Sequence, residues 1–321
     1  MADLTTRYLG LELKNPVIVS SSGLTNSVEK IEQAEENGAA AVVLKWMFEE
    51  QLNVDAGKSV AGQGLENFPE ARMTMESYAK DNSVNDYLEL IKNSKAEVSI
   101  PVIASINCIG TTIKWFDFAA RIEEAGADAI ELNVNVVPTD RGKDGLSYEQ
   151  IYYEIIDKVK ETVKIPVAIK IGPHFTNILN VVQNLFYKHK VDGVVLFNKF
   201  YEPDIDINKE EFTSAEIFTS PKDVSLPLRW IGLLAGDLKR FDISASTGIH
   251  DGEAAIKLLL AGAKTVQVCS SLYKNGIQYV KEIVDFVEKW PEEKGYKSID
   301  DFRGKMSYNN KDEAQQYERS Q

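Results

Sequence analysis

Lysines and asparagines that close apolar runs are the residues of this chain best suited to chemistry. Lys45 ends the run Ala40-Ala-Val-Val-Leu-Lys-Trp46, Lys170 lies inside Pro166–Gly172, and Asn198 with Lys199 ends Gly193–Lys199. Asn133 and Asn135 belong to Ala129–Asn135, and Ser105 and Asn107 to the end of Val98–Ile106 and just beyond. An amide or ammonium group among apolar neighbours is costly unless something pairs with it. A single buried lysine reads most simply as half of a structural ion pair. Two lysines in separate runs, with several amides beside them, point instead to a polar ligand.

The stretch Asp242–Tyr273 supplies a second signal. It reads strand, small-residue turn, helix, tight turn, strand, small-residue turn. The strands end at Ser246-Thr247-Gly248 and Cys269-Ser270-Ser271, where small side chains let backbone N–H groups approach a ligand closely. Two neighbouring strands ending this way make a phosphate cradle, helped by the helix that follows. An ordinary strand–helix–strand unit with glycine turns would share the pattern. A flat, hydrogen-bonding heterocycle carrying one phosphate satisfies both signals. A lysine near the N1–C2 edge of a flavin stabilises charge on the reduced ring. With one cradle visible and no second, FMN fits better than FAD or NAD.

The elements that must position these residues follow a regular rhythm. Residues 4–13 read as a short hairpin turning near Gly10. Eight apolar runs follow, with helices between them: Asn15–Gly23, Ala40–Trp46, Val98–Ile106, Ala129–Asn135, Pro166–Gly172, Gly193–Lys199 and the two strands of Asp242–Tyr273. Their β-branched content without strict alternation suits parallel strands covered on both faces. Eight such units predict an α/β fold, a (β/α)8 TIM barrel with an N-terminal β-hairpin and insertions after strands 2 and 6, with function at the C-terminal strand ends. The insertions are residues 47–82, without periodicity, and Phe200–Pro227. The last helix is expected over Asn275–Trp290. The domain reading is one FMN-binding barrel over 1–290 and a polar C-terminal tail over 291–321.

Composition narrows the partners. The 321 residues are 44% hydrophobic and 26% charged with a net charge of −13, which argues against nucleic acid, whose binding needs clustered Lys and Arg. Two cysteines (Cys108, Cys269) and three histidines (His174, His189, His250) show no metal-ligand spacing, so no metal is expected. No window is long and apolar enough to span a membrane, and the N-terminus has no apolar leader core, so a cytoplasmic protein is expected. Cys269, Trp115 and Trp46 read as packing residues, and His250 as a surface or capping residue.

Several of these motifs stand in the order seen in dihydroorotate dehydrogenases. They are Asn15-Pro-Val-Ile-Val-Ser-Ser-Ser-Gly23, Val43-Leu-Lys45, Ile130-Glu-Leu-Asn133, Val167-Ala-Ile-Lys170, Asn198 and the stretch Asp242–Tyr273. The chain resembles that family over residues 4–290, and within it a divergent, dihydroorotate dehydrogenase-like branch. The resemblance implies an FMN barrel, a homodimer of the soluble class, and oxidation of dihydroorotate or a related pyrimidine-like substrate by hydride transfer. It implies flavin contacts from Lys45, Asn133, Lys170 and Asn198, a loop over the flavin from Ser21, Ser22 and Gly23, and a phosphate cradle from Thr247, Gly248, Ser270 and Ser271. A partner subunit for electron transfer is not readable.

One half of the family pattern is altered. The position of the family's Cys or Ser base falls on Val136, which cannot take a proton, and Pro138-Thr139 stands where the family has a substrate-binding Asn. A base must reach the proton it abstracts. The candidate bases near Val136 are Thr139, Asp140 and the strand-three Cys108, and the catalytic residues expected are Lys45, Thr139 and Asp140. Two other functions remain open at this stage. One is a barrel isomerase or aldolase acting on a phosphorylated substrate through a Schiff base on Lys170 or Lys45. The other is a flavin-binding protein without dihydroorotate turnover.

Overall fold

The computed structural model describes residues 2–45, 69–108, 114–214, 216–237, 241–310 and 314–319. It begins with an antiparallel hairpin of β1 (Thr6–Tyr8) and β2 (Leu11–Leu13). The turn residues Leu9 and Gly10 have φ of 53° and 75°, which a two-residue hairpin turn demands and glycine adopts freely. Tyr8, Leu9 and Leu13 are fully buried and join Ile18, Ala41, Val43, Ile103, Ala129 and Ala168 in one apolar cluster. The hairpin thus seals one end of the molecule.

The other strands named in the apolar runs close into a barrel. Its strands are β3 (Val17–Val19), β4 (Ala41–Val43), β5 (Val102–Cys108), β6 (Ala129–Val134), β7 (Val167–Ile171), β8 (Gly193–Leu196), β11 (Asp242–Ser246) and β12 (Thr265–Val268). They pair in chain order, all parallel, and β12 returns to β3. Both faces of β3, β4, β7, β8 and β12 are buried, which is why their sequences are nearly continuous Val, Ile and Ala.

The surrounding helices are α1 (Val28–Glu36), α2 (Pro69–Glu97), α3 (Lys114–Glu124), α4 (Gly145–Thr162), α5 (Ile178–Tyr187), α6 (Ser225–Asp237) and α7 (Gly252–Ala261). The short α8 (Ser270–Asn275) and α9 (Tyr279–Glu293) follow the last strand. Gly38, Gly126 and Gly262 leave α1, α3 and α7 with φ of 95°, 95° and 124°, the left-handed exit that ends a helix and turns the chain into the next strand. Carboxylates fix two of the following strands. Asp128 accepts from Val102 N–H at 2.7 Å and from Lys95 Nζ, and Asp192 accepts from Val167 N–H at 2.7 Å and from Lys160 Nζ.

Three expectations change in detail. Helix α2 starts at Pro69, well inside the span read as irregular, because proline at the first helical position caps rather than breaks a helix. The rest of that insertion, 47–68, lies outside the described residues, as does Trp46 before it. The second insertion contains a hairpin, β9 (Pro203–Asp206) with β10 (Glu211–Ser214), and α6 then begins at Ser225. The segment expected as a polar tail, partly draped over the barrel, packs onto it around Phe302. Phe302 is fully buried against Trp290 and Tyr296, and Asp3, near the N-terminus, bonds to Lys297 and Ile299.

Replacing Phe302 by Ala empties that aromatic cluster. The variant should lose about 3–5 kcal/mol in urea denaturation. A loss below about 1 kcal/mol would be inconsistent with a packed C-terminal segment.

Candidate active site

Four polar side chains meet in the barrel interior near its C-terminal end. They come from β6, β7, β12 and the residue after β3. Lys170 Nζ donates to Ser20 Oγ at 3.1 Å and to Gln267 Oε1 at 3.3 Å. Ser20 Oγ also lies 3.2 Å from Gln267 Oε1. Gln267 Nε2 donates to Glu131 Oε2 at 2.6 Å. All four residues are buried, and the second carboxylate oxygen of Glu131 has no partner among the described residues. An ammonium has three N–H donors, so Lys170 retains one uncommitted donor. Parallel register also sets Asn133 opposite Lys170, and Asn107 opposite Asn133.

An amide rim lies above this layer. Asn198 Nδ2 donates to Asn133 Oδ1 at 2.9 Å, while the Asn198 N–H is held by the Ile171 carbonyl. The buried Oδ1 atoms of Asn107 and Asn135 accept no hydrogen bond from the described residues. Buried acceptors left open are rare and call for a ligand or an ordered water. On the opposite wall, Tyr87 donates to the Ser105 carbonyl and accepts from the Ser105 N–H, and burial pushes its phenol up.

A cavity of about 380 Å³ opens over this layer, between β3, β7, β8, β11 and β12. Ser21, Lys170, Asn198, Thr247, Gly248 and Ser270 line it, as do Ser20, Gln267, Lys199 and Cys269. Thr247 and Gly248 both have positive φ, 83° and 78°. The Thr247 hydroxyl is tied to the Phe197 carbonyl at 2.8 Å. A Cβ at position 248 would lie 2.1 Å from Val224 N, so only glycine lets the loop pack there. Ser270 Oγ accepts from Thr219 N–H at 3.1 Å, and His250 Nε2 lies 3.2 Å from Thr219 Oγ1. Burial, with Lys274 nearby, pushes the His250 imidazole down. Burial pushes the Cys269 thiol up, with Lys170 and Ser22 acting the other way. Phe218 and Tyr273 pack at a tilt at the outer edge, with centroids 5.2 Å apart. A larger cleft of about 840 Å³ lies at the opposite, hairpin end, out of reach of the lysine and asparagine set.

The remaining expected residues stand apart from that cavity. Ser22 and Gly23 form the adjoining loop, where Gly23 N–H donates to Tyr273 Oη at 2.7 Å. Ser271 is buried beside Ser270 with its Oγ unpartnered among the described residues. Lys45 is not inside the barrel: β4 ends at Val43, and Lys45 is exposed, with its N–H on the Thr25 carbonyl. Thr139 and Asp140 are exposed on the loop after β6, where Asp140 Oδ1 accepts from Gly142 N–H in its own turn. Asp140 therefore caps a loop and does not face the cavity. Gln267 and Glu131 are the central residues that sequence reasoning gave no role. Gln267 carries the signal that marked Lys170, a polar side chain within an apolar strand.

The sequence profile of dihydroorotate dehydrogenase matches residues 3–290, which is the hairpin, the whole barrel and α9 through Trp290. The chain belongs to the dihydroorotate dehydrogenase family. It is 25% identical to a dihydroorotate dehydrogenase B (NAD(+)), catalytic subunit, of Thermoplasma volcanium, over 95% of this chain and 98% of that one. It is 27% identical to proteins of the same name from Methanocaldococcus jannaschii, over 88% and 91%, and from Pyrococcus abyssi, over 94% and 98%. Family membership makes the chain an oxidoreductase acting on CH–CH groups, and sets the polar layer at the end of the barrel where such enzymes work. Among the described residues, no helix is long and apolar enough to cross a membrane.

Gln267→Leu tests the layer. It leaves the Glu131 carboxyl without its donor and Lys170 without one of its two acceptors, and should cost about 1–3 kcal/mol in urea denaturation. Unchanged stability would show that the layer is not joined by these bonds.

Proposed function

We propose that this chain is an FMN-dependent catalytic subunit that oxidises dihydroorotate or a closely related pyrimidine-like substrate. The observation that carries this reading is Lys170, buried in the barrel with one donor uncommitted and directly beneath a cavity. The residues fit FMN. Lys170, Asn133 and Asn198 would hold the ring, with Ser21, Ser22 and Gly23 beside it. Thr247, Gly248, Ser270 and Ser271 would hold the phosphate. The unpartnered Ser271 Oγ and the open Oδ1 atoms of Asn107 and Asn135 supply both donors and acceptors for such a ligand or its substrate.

Bound flavin would supply the hydride acceptor. The chain's own groups do the rest. Lys170 brings a fixed positive charge to the site, and Gln267 and Ser20 hold that ammonium in place, so no reorganisation is needed when negative charge develops. The Phe218 and Tyr273 rings border the cavity and limit water. Val136 stands at the position of the family's base and cannot accept a proton, so the substrate's proton must go elsewhere. The relatives' names, each a catalytic subunit with NAD(+), support a second subunit for electron transfer in this protein as well. We extend the proposal to a homodimer with the flavin barrel ending near residue 290.

The test is the absorbance spectrum of the purified protein, followed by anaerobic addition of dihydroorotate. Flavin absorbance that bleaches on addition is the expected result. A colourless protein that cannot be loaded with FMN would overturn the proposal.

A further inference from the structure

Oxidising a CH–CH group to C=C removes one hydride and one proton, so the site needs a proton acceptor. Val136 lies two residues past β6, half-buried, in a small cleft of about 80 Å³ at the barrel mouth. His174 lies in the same cleft, three residues past the end of the neighbouring strand β7 and four past Lys170. Its ring meets the Phe200 ring edge-on, with centroids 4.5 Å apart. Phe200 follows Asn198 and Lys199, which line the larger cavity. The cleft therefore lies between the loops that follow β6, β7 and β8 and the first turns of α4.

The other titratable groups facing this cleft are engaged. Tyr148 exchanges hydrogen bonds with the Asp140 backbone, and Tyr152 accepts from the Val136 N–H at 3.5 Å while burial pushes its phenol up. Glu149 accepts from the Tyr153 hydroxyl at 3.5 Å. Lys199, on the β8 side, pairs with Glu202 at 3.6 Å. The His174 imidazole is exposed and makes no hydrogen bond to the described residues. Imidazole is also the side chain that ordinarily exchanges a proton near neutral pH.

Resting on the functional reading above, we propose that His174 is the proton acceptor of this enzyme, in place of the group lost at Val136. The C–H bond on one substrate carbon breaks and its proton passes to an imidazole nitrogen. The electron pair left behind forms the C=C bond as the neighbouring carbon gives up its hydride to the flavin. His174 then returns the proton to water.

The experiment compares wild type with His174→Gln, both loaded with FMN, for anaerobic flavin reduction by dihydroorotate across pH 5–9. Orotate binding is followed in parallel through the flavin spectrum and through the ¹⁵N-labelled imidazole resonance that the variant lacks. The expected result is an unchanged FMN content, a reduction rate lower by about 100-fold or more, and loss of the wild type's acid limb, where a protonated imidazole cannot accept. The His174 resonance should move when orotate binds. A wild type reduced normally beside an equally fast variant overturns the assignment to His174 alone, as does an imidazole resonance indifferent to orotate. A flavin-loaded wild type that dihydroorotate never reduces overturns the substrate reading, and this inference with it.

Discussion

A lysine ammonium buried in a barrel, without a carboxylate directly against it, is the constraint on which the site depends. Lys170 is satisfied by an amide oxygen and a hydroxyl, and the negative charge lies one hydrogen bond further away, on Glu131. Direct pairing with a carboxylate would tie up the ammonium and cancel much of its field. Relaying the contact through Gln267 keeps the positive charge available to a ligand and still gives the buried carboxylate a donor. Removing one member leaves the others buried without their partners, which costs more than an apolar replacement of the whole network.

The rest of the fold keeps that layer in register. Parallel pairing sets Asn107, Asn133 and Lys170 at one level of adjacent strands. The hairpin closes the other end with Tyr8, Leu9 and Leu13, and the cavity opens from the polar layer at the mouth. The close fit there is visible at Gly193, where a Cβ would lie 2.7 Å from Leu9 Cδ2. At the mouth the elements are irregular: the left-handed Thr247-Gly248 turn, the short α8 and the insertion carrying Thr219 assemble the cavity wall. A rigid apolar base and a loop-built rim divide stability from ligand binding, as in other barrels.

Much of this was legible in the sequence, and the physical reason is shared. Lys170, Asn133 and Asn198 stand out because a polar side chain in an apolar strand must have a purpose. Lys45, found by the same signal, stands exposed two residues after β4 has ended. The signal passed over Gln267, whose neutral amide is less conspicuous than a charge. Thr139 and Asp140 were chosen for their nearness to Val136 in sequence, while β7 brings His174 beside Val136 through space. The β9–β10 hairpin has almost no buried face, with Phe212 85% exposed, so it leaves no periodicity to read. Phe302 stands in a polar stretch, and only the packed structure reveals its contacts with Trp290 and Tyr296.

The central claim is that the buried Lys170 charge is held in place for a flavin. The midpoint potential of FMN bound to Lys170→Met, set against that of the wild type, tests it most directly. Removing a cation that favours the reduced ring should lower the potential by roughly 30 mV or more, on the order of 1.4 kcal/mol for a two-electron couple. An unchanged potential, with FMN still bound, would contradict the account.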